Sequence, residues 1–137
     1  MSGNLERVYS FLRDVGHTFV CTVEGDAPKS RPLNSVCVID GRLGFMVGDK
    51  KDVYRQLVAN PKVELVSMDR RTEWLRIEGE AHLAEDQSPA DEFLARSGFL
   101  REKYAEMGMN LRLFLIDDGA TVQRRTWEPL EEFPLYG

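Results

Sequence analysis

Two adjacent lysines stand at a position of the sequence where an anion could bind. Lys50 and Lys51 follow an apolar stretch and begin a segment, residues 51–59, whose apolar spacing predicts a helix. Because a helix N-terminus carries unpaired N–H groups and partial positive charge, lysines there are unfavourable unless an anion offsets them. The pattern therefore indicates a phosphate site. The alternative is a solvated lysine pair whose charge is balanced by Asp49 and Asp52.

A second candidate feature is the Arg31-Pro32 pair within an extended segment. Because Pro32 has no backbone N–H group, it would interrupt the ladder of a central strand, and it therefore predicts an edge or irregular strand. Asn34 and Ser35 break the apolar pattern directly afterwards. These polar groups belong either to a binding site or to an edge strand that exposes them to solvent.

Signatures of several other chemistries are absent from the sequence. There is no glycine-rich nucleotide loop, no HExxH, no GxSxG and no CxxC. His17 and His82 are isolated from other metal-ligating residues, so both are interpreted as structural and no metal site is predicted. Cys21 and Cys37 lie in apolar segments and are expected to be inert thiols. Two cysteines are no disulfide framework, which favours a reducing cytoplasm.

Length and charge limit the classes of protein that fit. The 137 residues predict one domain over 1–137. Eighteen basic against 23 acidic residues give a net charge of -5, so no nucleic-acid partner is expected and any anion site must be local. No apolar run approaches the ~18 residues that cross a bilayer, so no membrane partner is expected. The first residues lack a secretory pattern, which also predicts a cytoplasmic protein.

The remaining sequence predicts the elements that must position these residues. Most predicted strands are joined by short turns, including a type I′ hairpin at Asp40-Gly41, so the sheet should be mainly antiparallel. A helical region over 88–106 should begin with Ser88 as N-cap and break near Gly98, and the tail after Trp127 should be irregular. The fold class expected is α+β, a six- to seven-stranded, mainly antiparallel split β-barrel with peripheral helices. Helices are predicted over 5–15, 51–59 and 88–106, and strands over 18–23, 29–39, 42–47, 63–68, 73–84, 111–116 and 121–125, the last two as a hairpin.

The order of these elements and four local motifs resemble a known family. The motifs are Arg-Pro at 31–32, DKKDVYRQL at 49–57, ANPKVEL at 59–65 and WLRIEGEA at 74–81. Together they are similar to the FMN-binding split-barrel family typified by pyridoxamine 5′-phosphate oxidase. The resemblance covers residues from about 5 to 85 well and the final strands loosely. It implies a six-stranded split barrel that forms a homodimer with two FMN molecules at the interface.

The resemblance also assigns residues to the cofactor. Arg31, Lys50 and Lys51 match positions that bind the FMN phosphate, and Trp74 matches one that reaches the flavin, commonly from the partner chain. Asp49 replaces a neutral hydroxyl residue and adds negative charge near the phosphate, unless it turns away to cap the helix. The full set implied to bind FMN is Arg31, Pro32, Leu33, Asn34, Ser35, Met46, Val47, Asp49, Lys50, Lys51 and Trp74.

The function implied is a flavin-dependent oxidoreductase acting on a small-molecule substrate. Because the flavin supplies the redox chemistry, no catalytic side chain is assigned. The family's segment that binds the substrate phosphate has no match near the short tail after Trp127, which puts vitamin B6 oxidation in doubt. The alternatives are a non-catalytic flavin carrier or redox sensor, a haem- or deazaflavin-binding relative, and a dimer without a cofactor.

Overall fold

The computed structural model of the protein describes residues 1–127 and 129–137. Within these residues there are four helices and nine strands. The helices are α1 (Gly3–Val15), α2 (Asp52–Ala59), α3 (Ser88–Arg96) and α4 (Gly98–Met107). The strands are β1 (Thr18–Glu24), β2 (Ala27–Leu33), β3 (Val36–Ile39), β4 (Arg42–Gly48), β5 (Lys62–Met68), β6 (Trp74–Leu83), β7 (Leu111–Ile116), β8 (Thr121–Arg125) and β9 (Glu131–Pro134).

The strands form a split barrel in which every pairing is antiparallel. The order along the sheet is β2-β1-β5-β6-β7-β4-β3, and β8 pairs with β6 and β9. Consecutive strands β2 and β3 lie at opposite ends of this path, so the short link at 34–35 joins the two ends of the sheet. The predicted α+β class and the mainly antiparallel split barrel are confirmed. The strand at the Arg31-Pro32 pair is an edge strand, as Pro32 predicts.

The single strand predicted over 29–39 is wrong, because it divides into β2 and β3. Ser35 lies in the link between them, and its side chain bonds to the backbone of β4. Its Oγ donates to the carbonyl oxygen of Met46 at 2.7 Å and accepts from the Met46 N–H at 3.3 Å. These bonds fix the link against β4, and the split is one reason that the strand count exceeds seven.

The predicted hairpin of the last two strands is also wrong, although both strands exist. The ten residues of β6 are long enough to pair with two strands in succession. Residues Trp74–Glu78 pair with β8, and Ala81–Leu83 pair with β7, so β7 and β8 turn a corner instead of pairing with each other. Gly79 lies at this corner, where a Cβ atom would come within 2.9 Å of the Ala120 side chain.

Two further boundaries differ from the sequence prediction. Part of the tail that was expected to be irregular forms β9, which pairs with β8, while Glu128, in the same predicted tail, lies outside the described residues. Ser88 is the first residue of α3 and not its N-cap. Gln87 takes that position, and its side chain binds backbone groups of Ala84 and Leu113. The type I′ turn is confirmed by positive φ angles at Asp40 and Gly41 (50° and 75°).

The core divides into two clusters that lie on either side of β4 and β7. The larger one fills the barrel beneath α1, which buries Leu5, Val8 and Leu12 on one face. The smaller one lies beneath α3 and α4 and includes Met46 and Tyr104. In the part of the chain that the structure describes, no helix has the length and apolarity needed to cross a bilayer.

Candidate functional site

A cavity of about 530 Å³ lies between the open end of the barrel and the α3–α4 helices. Its size falls within the range of small-molecule sites, roughly 300–1,000 Å³. One side, the barrel wall, comes from β2, β4, the 34–35 link and the start of α2, and the other, the helical wall, comes from α3, α4 and the start of β7. The lining residues are Arg31, Pro32, Leu33, Asn34, Ser35, Met46, Val47, Gly48, Lys51, Asp52, Val53, Phe93, Leu100, Tyr104 and Leu111.

Arg31 is the half-buried cation of the barrel wall, and its guanidinium is held by three hydrogen bonds. Nη1 donates to the Val20 carbonyl oxygen at 3.0 Å and to Thr22 Oγ1 at 2.8 Å, and Nη2 donates to Gln56 Oε1 at 2.6 Å. Burial lowers the pKa of Arg31 from its ordinary value, and the charge of Asp52 opposes that change. An arginine with such a high ordinary pKa stays charged, so the cavity holds a fixed positive group.

Lys51 is the second cation of the cavity and occupies the N-cap position of α2. Its side chain makes no capping hydrogen bond, so the backbone N–H groups of the first helical turn face the same space without a side-chain acceptor at the cap. Asp52, in the first turn of α2, lies beside it, and its carboxylate accepts from Arg55 at 3.3 Å. The cavity therefore has one cationic end, built from Arg31, Lys51 and a helix N-terminus.

Lys50 and Asp49 belong to the predicted set but do not line the cavity. The Lys50 Nζ atom donates to the carbonyl oxygen of Met107 at 2.9 Å, where α4 ends, because a cation is favourable at the C-terminal end of a helix. The Asp49 carboxylate accepts from the backbone N–H of Asn110 at 3.0 Å and from its side-chain amide at 3.2 Å. Asp49 thus turns away from the cavity, which is one of the two outcomes expected from the sequence. It does so by contacting Asn110, however, and not by capping α2.

Trp74 lies apart from this cavity, at the start of β6. It borders a separate cavity of about 300 Å³ together with Thr72 and Trp127. The guanidinium of Arg76 lies 5.0 Å from the centre of its ring on the outer face of the sheet. Within one protomer the structure does not bring Trp74 to Arg31 and Lys51, so a role for Trp74 at this cavity requires a partner chain.

The helical wall contributes apolar side chains that the sequence did not assign to a site. Phe93, Leu100 and Tyr104 lie in the region predicted as helical over 88–106, and they line the cavity. Burial raises the pKa of the Tyr104 hydroxyl, and the charge of Asp49 adds to the effect. Tyr104 therefore presents a neutral hydroxyl over the pH range in which proteins are normally handled.

The remaining candidate side chains lie away from the cavity. His17 borders a small separate cavity, and His82 pairs with Glu80 at 2.9 Å on the surface. Burial raises the pKa of the Cys37 thiol to about 11, so it stays protonated at neutral pH. No group of three or more His, Cys, Asp or Glu side chains suited to a metal ion is present among the residues that the structure describes.

Comparison with known proteins matches this chain to one family. The profile of the family described as pyridoxamine 5′-phosphate oxidase matches residues 5–123. No curated protein sequence matches the chain.

Solved structures share the fold over nearly the whole chain. A NimC/NimA family protein from Clostridium acetobutylicum is 24% identical, with 95% of this chain and 91% of that one covered and a TM-score of 0.80. A pyridoxamine 5′-phosphate oxidase-related, FMN-binding protein from Nostoc punctiforme is 16% identical (96% and 92% covered, TM-score 0.57). A haem-binding protein from Mycobacterium smegmatis is 11% identical (98% and 59% covered, TM-score 0.69). At these identities the likeness concerns the fold alone.

Proposed function

This chain belongs to the pyridoxamine 5′-phosphate oxidase family, and we propose that it binds FMN in the cavity between the barrel wall and the helical wall. The phosphate would be held by Arg31 and Lys51, with the N–H groups at the start of α2. The flavin ring would lie along residues 32–35 and the end of β4 at Met46 and Val47. The solved FMN-binding protein of the same fold supports the choice of cofactor.

One observation carries this proposal: two cations that are 20 residues apart in sequence line the same, otherwise largely apolar cavity. A ligand in which a phosphate is joined to a planar ring requires a charged surface next to an apolar surface large enough for the ring. The fit extends to the backbone. Because Ser35 is bonded to Met46 on both its donor and its acceptor side, the segment that would lie along the ring is fixed before the ligand arrives.

The residues of this chain would bind and orient the cofactor and restrict water, and none is assigned a proton-transfer step. FMN, when bound, supplies hydride or electron transfer. Arg31 and Lys51 offset the phosphate charge, while Phe93 and Leu100 provide apolar cover on the opposite side of the cavity. We propose that the resulting activity is that of an oxidoreductase acting on a small molecule.

A homodimer with FMN at the interface is the second part of this proposal. The outer face of the sheet exposes Phe19 (43%) and Met68 (56%), and Trp74 pairs with Met68 on the same face. Phe19 also pairs with Pro32, which lines the cavity, so the apolar residues of this face continue to the cavity mouth. A second copy docked on this face would cover the mouth and could bring its own Trp74 to the ligand.

A cytoplasmic location is proposed for this protein as well. Cys21 and Cys37 are both free thiols in the structure. Thiols of this kind persist in reducing compartments, which supports the cytoplasm. Fractionation of the native host, followed by detection of the protein in the soluble cytoplasmic fraction, tests this part of the proposal independently of the cofactor.

The proposal is tested by titrating the purified protein with FMN and recording the flavin absorbance and fluorescence together with the oligomeric mass. We expect one FMN per chain and a dimeric mass. A protein that binds no FMN at high micromolar concentration would overturn the assignment. If it instead takes up haem with a Soret band, the cavity belongs with the haem-binding relatives; His17 and His82 lie elsewhere, which argues against this outcome.

The site itself is tested with a matched pair of lysine variants. Lys51→Ala should weaken FMN binding by roughly tenfold or more, since a charge-assisted contact is worth about 1.5–3 kcal/mol. Lys103→Ala is the control, because Lys103 lies on α4 beside Glu106 and Phe99. Equal effects in the two variants would show that the phosphate binds elsewhere. Turnover of bound FMN with nicotinamide cofactors then separates an oxidoreductase from a flavin carrier or sensor.

A further inference from the structure

Two polar side chains are buried directly behind the cationic end of the cavity. Gln56 on α2 is 3% exposed and Thr22 on β1 is 2% exposed. Neither of them lines the cavity. A buried amide and a buried hydroxyl are retained only when their hydrogen bonds are made, so their partners indicate what they do.

Both side chains are arranged around one edge of the Arg31 guanidinium. Thr22 Oγ1 donates to Gln56 Oε1 at 2.5 Å, and the two oxygens accept from Nη1 and Nη2 of Arg31, respectively. Two acceptors at this spacing match the parallel N–H groups at the end of the guanidinium fork. The second N–H group of Nη1 donates to the Val20 carbonyl oxygen. Three of the five N–H groups of Arg31 therefore have fixed partners.

The amide of Gln56 is itself oriented by a second contact. Its Nε2 donates to Glu24 Oε2 at 2.9 Å, and Arg55 donates to the same carboxylate oxygen at the same distance. Glu24 thereby fixes which end of the amide is nitrogen, and the oxygen must face Arg31. Because an amide oxygen carries no net charge, it orients the guanidinium without neutralising it, whereas a carboxylate at this position would compete with an anionic ligand.

The two N–H groups of Arg31 that remain are the one on Nε and the second one on Nη2, and no partner for either lies among the described residues. These two groups are parallel and share one side of the guanidinium, which is the arrangement that binds two oxygens of a phosphate. We propose that Gln56 and Thr22 are positioning residues that hold Arg31 so that this edge stays available to the phosphate of a bound ligand. The inference rests on the proposed function, since it takes Arg31 as a phosphate-binding residue.

Comparing FMN with riboflavin isolates this effect, because riboflavin has the same ring and lacks the phosphate. Gln56→Met keeps the length of the side chain and removes the acceptor, and Thr22→Val keeps the shape and removes the hydroxyl. Each should weaken FMN binding about tenfold and riboflavin binding less than about twofold. Thr22→Ser should restore FMN binding, since it returns the hydroxyl.

The matched control is Gln87→Met, which removes the amide of a second, partly buried glutamine. Gln87 binds the backbone of Ala84 and Leu113 and has no contact with Arg31. We expect it to lower thermal stability but to leave the ratio of FMN to riboflavin affinity unchanged. If Gln56→Met weakens both flavins equally, Gln56 only stabilises the fold and the inference is overturned.

A ligand-free measurement separates this inference from the proposed function. Nitrogen NMR of the arginine side chains should show slow rotation of the Arg31 guanidinium in the wild type and fast rotation in Gln56→Met. Fast rotation in the wild type would overturn the positioning role whatever the flavin result. If FMN does not bind but pyrophosphate shifts the Arg31 Nε–H signal in the wild type alone, the positioning role stands and FMN is the wrong ligand; if neither binds, both are overturned.

Discussion

The two walls of the cavity are held in place by different interactions. The barrel wall is polar at its centre and tightly connected, because Arg31 and Ser35 are both fixed by hydrogen bonds to neighbouring strands or to α2. The helical wall is apolar and leaves aromatic side chains exposed to solvent. Phe93, beside the cavity, is 47% exposed, and Phe99, on α4, is 74% exposed. The difference suggests that the anionic part of a ligand meets a preorganised site, whereas its other part meets a surface that can adjust.

The largest effect is expected from adding one carbon atom to the barrel wall. Gly44 lies in β4, and a Cβ there would come within 2.5 Å of the Phe114 carbonyl oxygen on β7. Because that atom is backbone, it can move only if the strand pairing moves, so Gly44→Ala should destabilise the protein by about 1–3 kcal/mol. Thermal unfolding of the purified variant measures this directly.

The matched change on the helical wall is Gly98→Ala. Gly98 is the first residue of α4, and nothing lies within 4 Å of where its Cβ would be. Alanine in a helix is favoured over glycine by roughly 0.5–1 kcal/mol, so this variant should be as stable as the wild type or slightly more so. A large loss in Gly98→Ala would mean that the helical wall is packed as tightly as the barrel wall.

The next effect concerns the contact that joins the two walls. Asp49 connects the β4–α2 loop to Asn110, and it accepts both a backbone and a side-chain hydrogen bond there. Asp49→Ala should cost about 1 kcal/mol and should speed hydrogen exchange in α4 more than in β1 or β5. Asp26→Ala, in an exposed turn, is the control. Uniform acceleration across the whole chain would show that the walls do not open separately.

The same region shows where sequence reasoning reaches its limit. Lys50 and Lys51 are adjacent and of the same type, so the local pattern gives both the same role. Lys50 is directed elsewhere by the carbonyl oxygen of Met107, 57 residues away, and only the docking of α4 brings that atom near. The helical side chains that line the cavity were missed as site residues for the same reason, since their periodicity predicts packing but not the partner surface.

The barrel was more predictable because its signals are local. Alternating apolar residues and the Asp40-Gly41 turn predict strands from residues that are close together in sequence, and those strands are present. The errors arose where strand pairing depends on residues that are distant in sequence. The corner between β7 and β8 requires the full length of β6 and the missing side chain of Gly79, and neither is visible in the two strands that were expected to pair.

A smaller effect is expected from the exposed aromatic residue of the helical wall. Phe93→Ala should change stability by about 0.5 kcal/mol or less, because nearly half of the side chain is already in contact with solvent. If FMN binds as proposed, the variant should weaken FMN and riboflavin alike by about threefold to tenfold, since it removes apolar cover and no charge. Loss of FMN binding alone would place the phosphate, and not the ring, at this wall.

The smallest effect appears only at high pH and involves Tyr104, where the two walls meet. Burial and the charge of Asp49 raise the pKa of Tyr104 in the folded protein, whereas the unfolded chain ionises near the ordinary value of 10.0. Above that value the unfolded state releases a proton that the folded state retains, so stability falls as pH rises from about 9 toward 11. Tyr104→Phe should remove this contribution, and its melting temperature should fall less than that of the wild type over the same range. Tyr136, whose pKa burial also raises, is present in both proteins and cancels in the comparison. Arg31 keeps its charge throughout this range, so the pH response of stability should belong to the helical wall. An equal fall of the melting temperature in both proteins would show that Tyr104 ionises as freely in the folded protein as in the unfolded chain.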